Sequence, residues 1–445
     1  MDLTEQVLKK KGLRSDALWT HPLIFTTPLR RIPLFFDVRS LLLSQYWPRT
    51  RLNRLANDRL DTLLQEAKLL PLWQKQLQTY EREKGDPVDQ LQLLPISSKS
   101  TYAGREDSEF TSVDELKRSH QDFTSGSTGR PFGYYFGWRS ELRCFAFCER
   151  TFYAVGHGLR HDVISMRARH RIGFIFYRHV MFYLAASADI QYRLAELLAT
   201  LRVRTHPVIL YGYTSWIVEL AKQVRKGVSV PSVFALVATG EGIGARDRQM
   251  IEDVFQAPFY TTYATRELGW LGFECEKKRM HVNEEWAYLE IVDAQGRRLP
   301  DGQEGRIVVT TFDNTVMPFI RYDIGDRGSI DVDACSCGRT LRTITFSGRQ
   351  SDVIDLGDGH TLSLLDISPL FDAYWDAVHQ YQIVQTAPLD FTLRIIPGPS
   401  FNDRREALQN RIRRSLHPNA RLQWETVDRI EPAKSGKALY YIKAF

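Results

Sequence analysis

Short apolar runs that end in glycine, each followed by a helix-like stretch, constrain the fold of this chain more than any other feature. The clearest two are Pro207 to Gly212 and Val233 to Gly240. Strands that are buried on both faces show such continuous apolar runs, and parallel strands need a long connection, usually a helix. From about residue 96 to residue 330 the sequence therefore predicts an α/β fold with a mostly parallel sheet.

Two other regions have different patterns. Residues 287–292 and 305–312 alternate like antiparallel strands, and the turn at 293–296 starts their connection. After Gly348-Arg349 the chain becomes a compact segment with strand-like runs at 381–384 and 391–396 and a charged helix at about 403–416. We predict an N-terminal domain at 1–348, mainly helical over 1–95, and a small, mobile α+β lid at 349–445.

Composition limits the class of protein. A chain of 445 residues exceeds the usual ceiling for one hydrophobic core, so two or more domains are expected. The formal charge of +6 suits an anionic substrate such as a nucleotide, but no basic block with interleaved aromatics predicts nucleic-acid binding. No apolar stretch approaches the ~20 residues of a membrane span, and the acidic start of the chain is unlike a signal peptide. Five cysteines argue against a disulfide framework, and a cytoplasmic location is expected.

One loop combines two glycines with four hydroxyl residues. It comprises Thr124, Ser125, Gly126, Ser127, Thr128 and Gly129. Backbone N–H and side-chain hydroxyl donors in such a loop can surround a polyphosphate, because glycine lets the backbone approach it. A flexible surface turn is the alternative. The loop lacks the Gly-Lys-Ser/Thr of a Walker motif, and the glycines at 240–244 have the wrong spacing for a dinucleotide-binding fingerprint.

Further motifs follow the loop in a fixed order. They are Thr239-Gly240-Glu241, Tyr263-Ala264-Thr265-Arg266-Glu267, Arg321-Tyr322-Asp323-Ile324-Gly325-Asp326, Gly348-Arg349 and Ser435-Gly436-Lys437. In this order they resemble the adenylate-forming superfamily of acyl-CoA synthetases, luciferases and peptide-synthetase adenylation domains. Within it the chain is most similar to the phenylacetate-CoA ligase branch, including CapK-like relatives encoded with capsular polysaccharide genes. The resemblance extends from about Leu94 to Lys437.

The resemblance implies an ATP site. The loop at 124–129 would close over the β- and γ-phosphates, and Gly240 and Glu241 would line the adenine. Tyr263 would form the second face of the adenine slot, although a core tyrosine is the alternative. Asp326 would hold both ribose hydroxyls, and Arg349 would contact ribose and phosphate.

The resemblance also implies catalytic residues. Glu267 would bind Mg²⁺, which prefers hard oxygen ligands. Arg266 occupies the position of a family hydroxyl, so it either stabilises charge at the α-phosphate or forms a surface ion pair. Lys437 would enter the site during adenylation, with Lys434 as the alternative. Ser351 stands where the family commonly has an acidic hinge residue, which leaves open whether the lid rotates.

Three thiols and one imidazole could form a second metal site. Cys275, His281, Cys335 and Cys337 would complete a tetrahedral Zn²⁺ shell with no open position, which favours a structural role. Similar sets occur in relatives of this branch, and unrelated reduced cysteines are the alternative. Cys144 and Cys148 lie at helical spacing in an aromatic run and are expected to be buried.

The resemblance implies two half-reactions. A carboxylate substrate would attack the α-phosphorus of MgATP to give an acyl-adenylate and pyrophosphate, and coenzyme A would by default receive the acyl group. An amine or a carrier-protein thiol would serve equally well as acceptor. A non-catalytic nucleotide-binding or scaffold protein is the alternative from another class, and a nucleotidyl or phosphoryl transferase is a weaker one. No residue is assigned to the acid substrate, although the basic run at 167–171 precedes an aromatic stretch.

Overall fold

The helices of the chain lie mainly at its N-terminal end and between the central strands. The computed structural model describes residues 28–117, 119–123, 132–156, 161–167, 179–183, 206–230, 232–349, 353–358, 360–363, 367, 370–371, 373–374, 376–431 and 440–445. Within these residues the helices are α1 (Pro28–Ser44), α2 (Arg49–Ala67), α3 (Pro71–Gln74), α4 (Pro87–Leu91), α5 (Lys99–Tyr102), α6 (Val113–Lys117), α7 (Trp138–Ala154), α8 (Thr214–Arg225), α9 (Ala245–Phe255) and α10 (Phe401–Leu416). No helix of this described part is long and apolar enough to cross a membrane.

A parallel half-sheet forms the centre of the fold. Its strands are β3 (Asp162–Arg167), β4 (His179–Tyr183), β5 (Val208–Tyr213), β6 (Val233–Thr239) and β7 (Phe259–Thr265), in the spatial order β4-β3-β5-β6-β7. Helices α8 and α9 provide the β5–β6 and β6–β7 connections and pack on one face of these strands around Leu210, Leu236 and Phe259. The apolar runs at 207–212 and 233–240 thus predicted two buried parallel strands correctly.

The sheet continues as an antiparallel half. After β7 come β8 (Gly269–Glu274), β9 (Met280–Val282), β13 (Thr343–Arg349), β12 (Tyr322–Ile330), β11 (Gly305–Thr311) and β10 (Ala287–Val292), which completes eleven strands. The β10–β11 pair has the predicted antiparallel register, with Ala287 opposite Thr311. The mixed sheet confirms the α/β class.

A two-stranded hairpin stands apart from the large sheet. Strands β1 (Ser119–Phe123) and β2 (Gly133–Gly137) pair antiparallel, and Phe123 lies opposite Gly133. The phosphate-binding loop predicted at 124–129 connects these two strands, so its two ends are held side by side. The loop itself lies outside the described residues.

The N-terminal helices pack on the sheet through a buried ionic network. Arg150 of α7 is 0% exposed and donates to Glu285 at 2.8 Å and to Asn283, while Ser44 at the end of α1 donates to the same Glu285 oxygen at 2.5 Å. Helix α2 lies in the region that was predicted to be mainly helical. That helix ends at Ala67, and Leu69 is 81% exposed, because Pro71 begins the next helix at its first position.

The C-terminal segment has its own core. Strands β16 (Val378–Ala387), β17 (Asp390–Pro397), β18 (Arg421–Thr426) and β19 (Tyr441–Lys443) form a sheet in the order β18-β17-β16-β19, next to the short pair β14 (Val353–Asp355) and β15 (Thr361–Ser363). Helix α10 buries Leu408 and Ile412 against Leu393 and Ile395 of this sheet. The predicted strands and charged helix of this region are confirmed.

Candidate functional site

Three of the predicted site residues lie at or just beyond the carboxyl ends of the parallel strands. Gly240 directly follows β6, Tyr263 lies in the second half of β7, and Glu267 follows β7. Ligands of open α/β sheets bind at this edge, because loops there converge without interrupting the strands. The φ of Gly240 is +77°, in the left-handed region that favours glycine.

Asp326 is the centre of a three-residue contact. Its two carboxylate oxygens accept separate hydrogen bonds, from the Tyr263 hydroxyl at 2.9 Å and from Arg349 Nε at 2.9 Å. Asp326 is 4% exposed, whereas about half of the Arg349 side chain is exposed. Burial, together with the Asp326 charge, raises the pKa of Tyr263 well above its ordinary value, so this tyrosine remains a hydrogen-bond donor.

The contact requires a strongly curved sheet. Strand β12 is four positions away from β7 in the spatial order, and a flat sheet would separate them by about 19 Å. The short strand β9 pairs with β13 only at Thr343 and Ile344, which lets the neighbouring strands diverge beyond it. Phe346 of β13 fills the space, with its ring centroid 4.3 Å from that of Tyr263.

Glu241 has a structural role that the sequence analysis did not anticipate. Its carboxylate accepts hydrogen bonds from the Ser215 backbone N–H at 2.8 Å and the Ser215 hydroxyl at 3.1 Å, in the first turn of α8. A carboxylate in this position compensates the free N–H groups and the positive end of the helix dipole. Adenine contact by Glu241 stays a prediction. The backbone at Gly240 is the other part of this motif that could contact a ligand.

Arg266 and Glu267 lie next to the hairpin that holds the loop. Arg266 Nη1 donates to the Phe123 carbonyl, the last described group before the loop, at 3.3 Å. The Tyr134 hydroxyl donates to Asp122 at 3.1 Å, and burial followed by the Asp122 charge raises the pKa of Tyr134. Arg266 and Glu267 are close enough to shift that pKa further, in opposite directions.

Several predicted residues lie outside the described part of the chain. They are the loop residues Thr124, Ser125, Gly126, Ser127, Thr128 and Gly129, the hinge residue Ser351, and the lysines Lys434 and Lys437. The basic run at 168–171 and the aromatic stretch after it are also outside. The roles assigned to these residues stay predictions.

Arg321 begins the motif at 321–326, and the sequence did not indicate its role. Its buried guanidinium donates to both Glu290 oxygens, at 3.1 and 3.2 Å, and to the Leu94 carbonyl at 2.7 Å. It thereby joins β10 to the segment that precedes α5. Arg321 has a φ of +45°, a rare conformation for a side chain of this size, and these contacts offset its cost.

The four predicted zinc ligands come together in one cluster. All ligand atoms of Cys275, His281, Cys335 and Cys337 lie within 4.8 Å of one another. The Cys275 and Cys335 sulfurs are 3.6 Å apart, and the Cys337 sulfur is 3.3 Å from His281 Nε2. Thiolates and an imidazole at such separations match the edges of a tetrahedral Zn²⁺ shell.

The surroundings of the cluster favour metal ligation. His281 Nδ1 must donate to the Leu341 carbonyl, 3.0 Å away, so Nε2 is left as an acceptor that faces Cys337. Burial lowers the pKa of His281 to about 4, which keeps the ring neutral. Burial raises the pKa of Cys275 to about 12, whereas at Cys337 the N–H and side chain of Arg339 outweigh burial and lower the pKa.

Comparisons with known proteins agree with the resemblance found in the motifs. Residues 357–444 match the family model of the CapK C-terminal domain. The phenylacetate-coenzyme A ligase of Thermus thermophilus is 28% identical over 187 residues, a match that covers 40% of this chain. The matched part spans 42% of that relative's length.

Solved structures extend the similarity to the fold of nearly the whole chain. A 2-hydroxyisobutyryl-CoA ligase with a bound acyl-adenylate has a TM-score of 0.72 at 21% identity, covering 90% of this chain and 93% of that one. An anthranilate CoA ligase with anthranoyl-AMP has a TM-score of 0.52 at 17% identity, covering 72% and 64%. The resemblance found in the motifs is confirmed: the chain is similar to adenylate-forming CoA ligases, and its C-terminal segment matches the CapK C-terminal domain.

Proposed function

We propose that this chain activates a carboxylic acid with ATP as an acyl-adenylate and then transfers the acyl group, by default to coenzyme A. The Asp326 contact with Tyr263 and Arg349 carries the proposal. Three motif residues, far apart in sequence, meet around one buried carboxylate at the ligand-binding edge of the sheet. The names of the similar proteins, CoA ligases of several acids, support the same class of reaction.

The residues present suit MgATP. Asp326 offers two acceptor oxygens to the ribose hydroxyls, and its present donors could shift to phosphate or ring contacts when nucleotide binds. Glu267 is 7% exposed and forms no ion pair with the described residues, so its carboxylate suits a divalent cation beside the phosphates. The cation would neutralise phosphate charge, and Lys437 would add a second positive charge at the reacting α-phosphate.

The Cys275–His281–Cys335–Cys337 cluster would bind a structural Zn²⁺. The ion would fix the β8–β9 turn to the loop at 335–341. That loop also contacts the N-terminal helices, since Arg339 donates to Gln45 at 2.9 Å. A shell of four protein ligands leaves no position for substrate, so we assign the metal no part in the reaction.

We expect a lid at 349–445 that starts at Arg349 and moves between the two half-reactions. A phenylacetate-like acid is the first substrate to test. An amine or a carrier-protein thiol is the alternative acceptor. The departures at Arg266 and Ser351 keep open the alternative of a non-catalytic nucleotide-binding or scaffold protein. A cytoplasmic location stays a prediction.

Exchange of pyrophosphate into ATP tests the first half-reaction. We expect exchange that depends on one class of carboxylic acid in a broad panel. Lys437→Ala should abolish exchange and spare ATP binding measured by calorimetry, whereas Lys434→Ala serves as the matched control on the same segment. ATP binding without exchange for any acid would favour the non-catalytic alternative.

A further inference from the structure

Tyr322 is a buried tyrosine whose hydroxyl lies beside the Glu267 carboxylate. The side chain is 0% exposed, and its ring packs against Tyr102 and Phe319, with centroid distances of 6.3 and 4.9 Å. Within the described part of the chain the hydroxyl has no hydrogen bond of normal geometry. After burial, the charge of Glu267 is the strongest influence that raises the pKa of Tyr322.

A buried hydroxyl without a hydrogen bond costs free energy, so its retention requires a reason. The neighbouring Tyr102 shows that the same aromatic cluster can satisfy a hydroxyl, because its oxygen donates to the Pro318 carbonyl at 2.7 Å. Phenylalanine would fill the space of Tyr322 equally well. Packing alone therefore explains the ring of Tyr322 and leaves its oxygen unexplained.

Apart from Tyr322, Glu267 has no partner among the described residues that would fix its orientation. It is 7% exposed, and no cation of the described residues pairs with it. Carboxylates that bind metal ions are themselves held by donors in an outer shell, which orient the ligand oxygen and are typically worth about 10–100-fold in metal affinity. A tyrosine hydroxyl can donate to one carboxylate oxygen and leave the other for the ion.

We propose that Tyr322 is a positioning residue, whose hydroxyl donates to Glu267 and orients that carboxylate toward the Mg²⁺ that accompanies ATP. The inference rests on the proposed function, since it assigns a support to the metal ligand of that reaction. Two residues of the motif at 321–326 thereby receive different roles. Tyr322 acts through Glu267, and Asp326 acts on the ribose.

The test compares Tyr322→Phe with Tyr102→Phe, a matched loss of one hydroxyl from the same cluster. For Tyr322→Phe we expect about a 10-fold or larger rise in the Mg²⁺ concentration that gives half-maximal pyrophosphate exchange at fixed ATP. The maximal rate at saturating Mg²⁺ and the thermal midpoint of the metal-free protein should stay near wild type. Tyr102→Phe should lower the thermal midpoint, because it loses a formed hydrogen bond, and keep the wild-type Mg²⁺ requirement.

Two results would overturn the inference. One is an unchanged Mg²⁺ requirement in Tyr322→Phe, and the other is a loss of thermal stability equal to that of Tyr102→Phe. If the wild-type protein shows no exchange with any acid, the proposed function fails first. In that case, calorimetry would measure how ATP binding to Tyr322→Phe and Tyr102→Phe depends on the Mg²⁺ concentration.

Discussion

Glu149 gives the sharpest prediction about stability. It lies on α7 and is 3% exposed, and burial raises the pKa of its carboxyl to about 8, from 4.5. The folded chain therefore holds a proton at neutral pH that the unfolded chain releases. Stability from this proton is fully present below the unfolded pKa and is lost as the pH rises through the folded pKa.

The size of the effect follows from the shift. One pKa unit corresponds to 1.36 kcal/mol, so the carboxyl costs the folded state about 3 kcal/mol more at pH 8 than at pH 5. Glutamine has the same shape and does not titrate. We expect Glu149→Gln to stabilise the protein increasingly over this pH range.

Urea unfolding followed by tryptophan fluorescence would measure the effect. The decisive quantity is the difference in unfolding free energy between variant and wild type at about pH 8, minus the same difference at about pH 5. Other titrating groups cancel in this comparison, and Glu406→Gln, at an exposed position of α10, is the control. Parallel pH profiles for Glu149→Gln and wild type would refute the reasoning.

Three further predictions concern the two sites. Asp326→Asn should raise the KM for ATP in exchange at least about 10-fold, because a hydrogen bond to a charged group is worth about 1.5–3 kcal/mol; an unchanged KM would remove Asp326 from the ribose site. Arg266→Thr should change the exchange rate less than about fivefold, since its 3.3 Å contact with Phe123 is worth about 1 kcal/mol; a hundredfold loss would place Arg266 at the α-phosphate. Cys335→Ser should reduce bound zinc from about one equivalent to near zero and lower the thermal midpoint, and retained zinc on elemental analysis would contradict the shell.

The sequence predicted what short-range patterns control. Strands β5, β6, β10 and β11 follow from runs of apolar residues and from alternation, and α10 follows from its charged, periodic sequence. The clustering of Cys275, His281, Cys335 and Cys337 was predictable, because metal ligation restricts residue type so strongly. The end of α2 could not be predicted from the apolar period, because that period continues to Leu69 although the helix ends at Ala67.

Contacts between distant strands could not be predicted in the same way. The capping of α8 by Glu241 depends on where that helix begins relative to the loop after β6, and no local pattern gives this distance. The Tyr263–Asp326 bond depends on the curvature of the sheet across the three intervening strands. Such contacts depend on how the whole sheet twists and curves, and all of its strands together determine this.

The motif at 321–326 shows how one short segment serves three physical needs. Arg321 supports the fold, because its buried guanidinium joins Glu290 to the Leu94 carbonyl. Tyr322 lies beside Glu267, and Asp326, four residues along the same strand, receives Tyr263 and Arg349. Because Tyr322 pairs with β11 and Asp326 of the same strand pairs with β13, a displacement of Arg321 would move Tyr322 and Asp326 as well. A buried residue that supports the fold can for this reason be as restricted in sequence as the carboxylate that we propose binds the ribose.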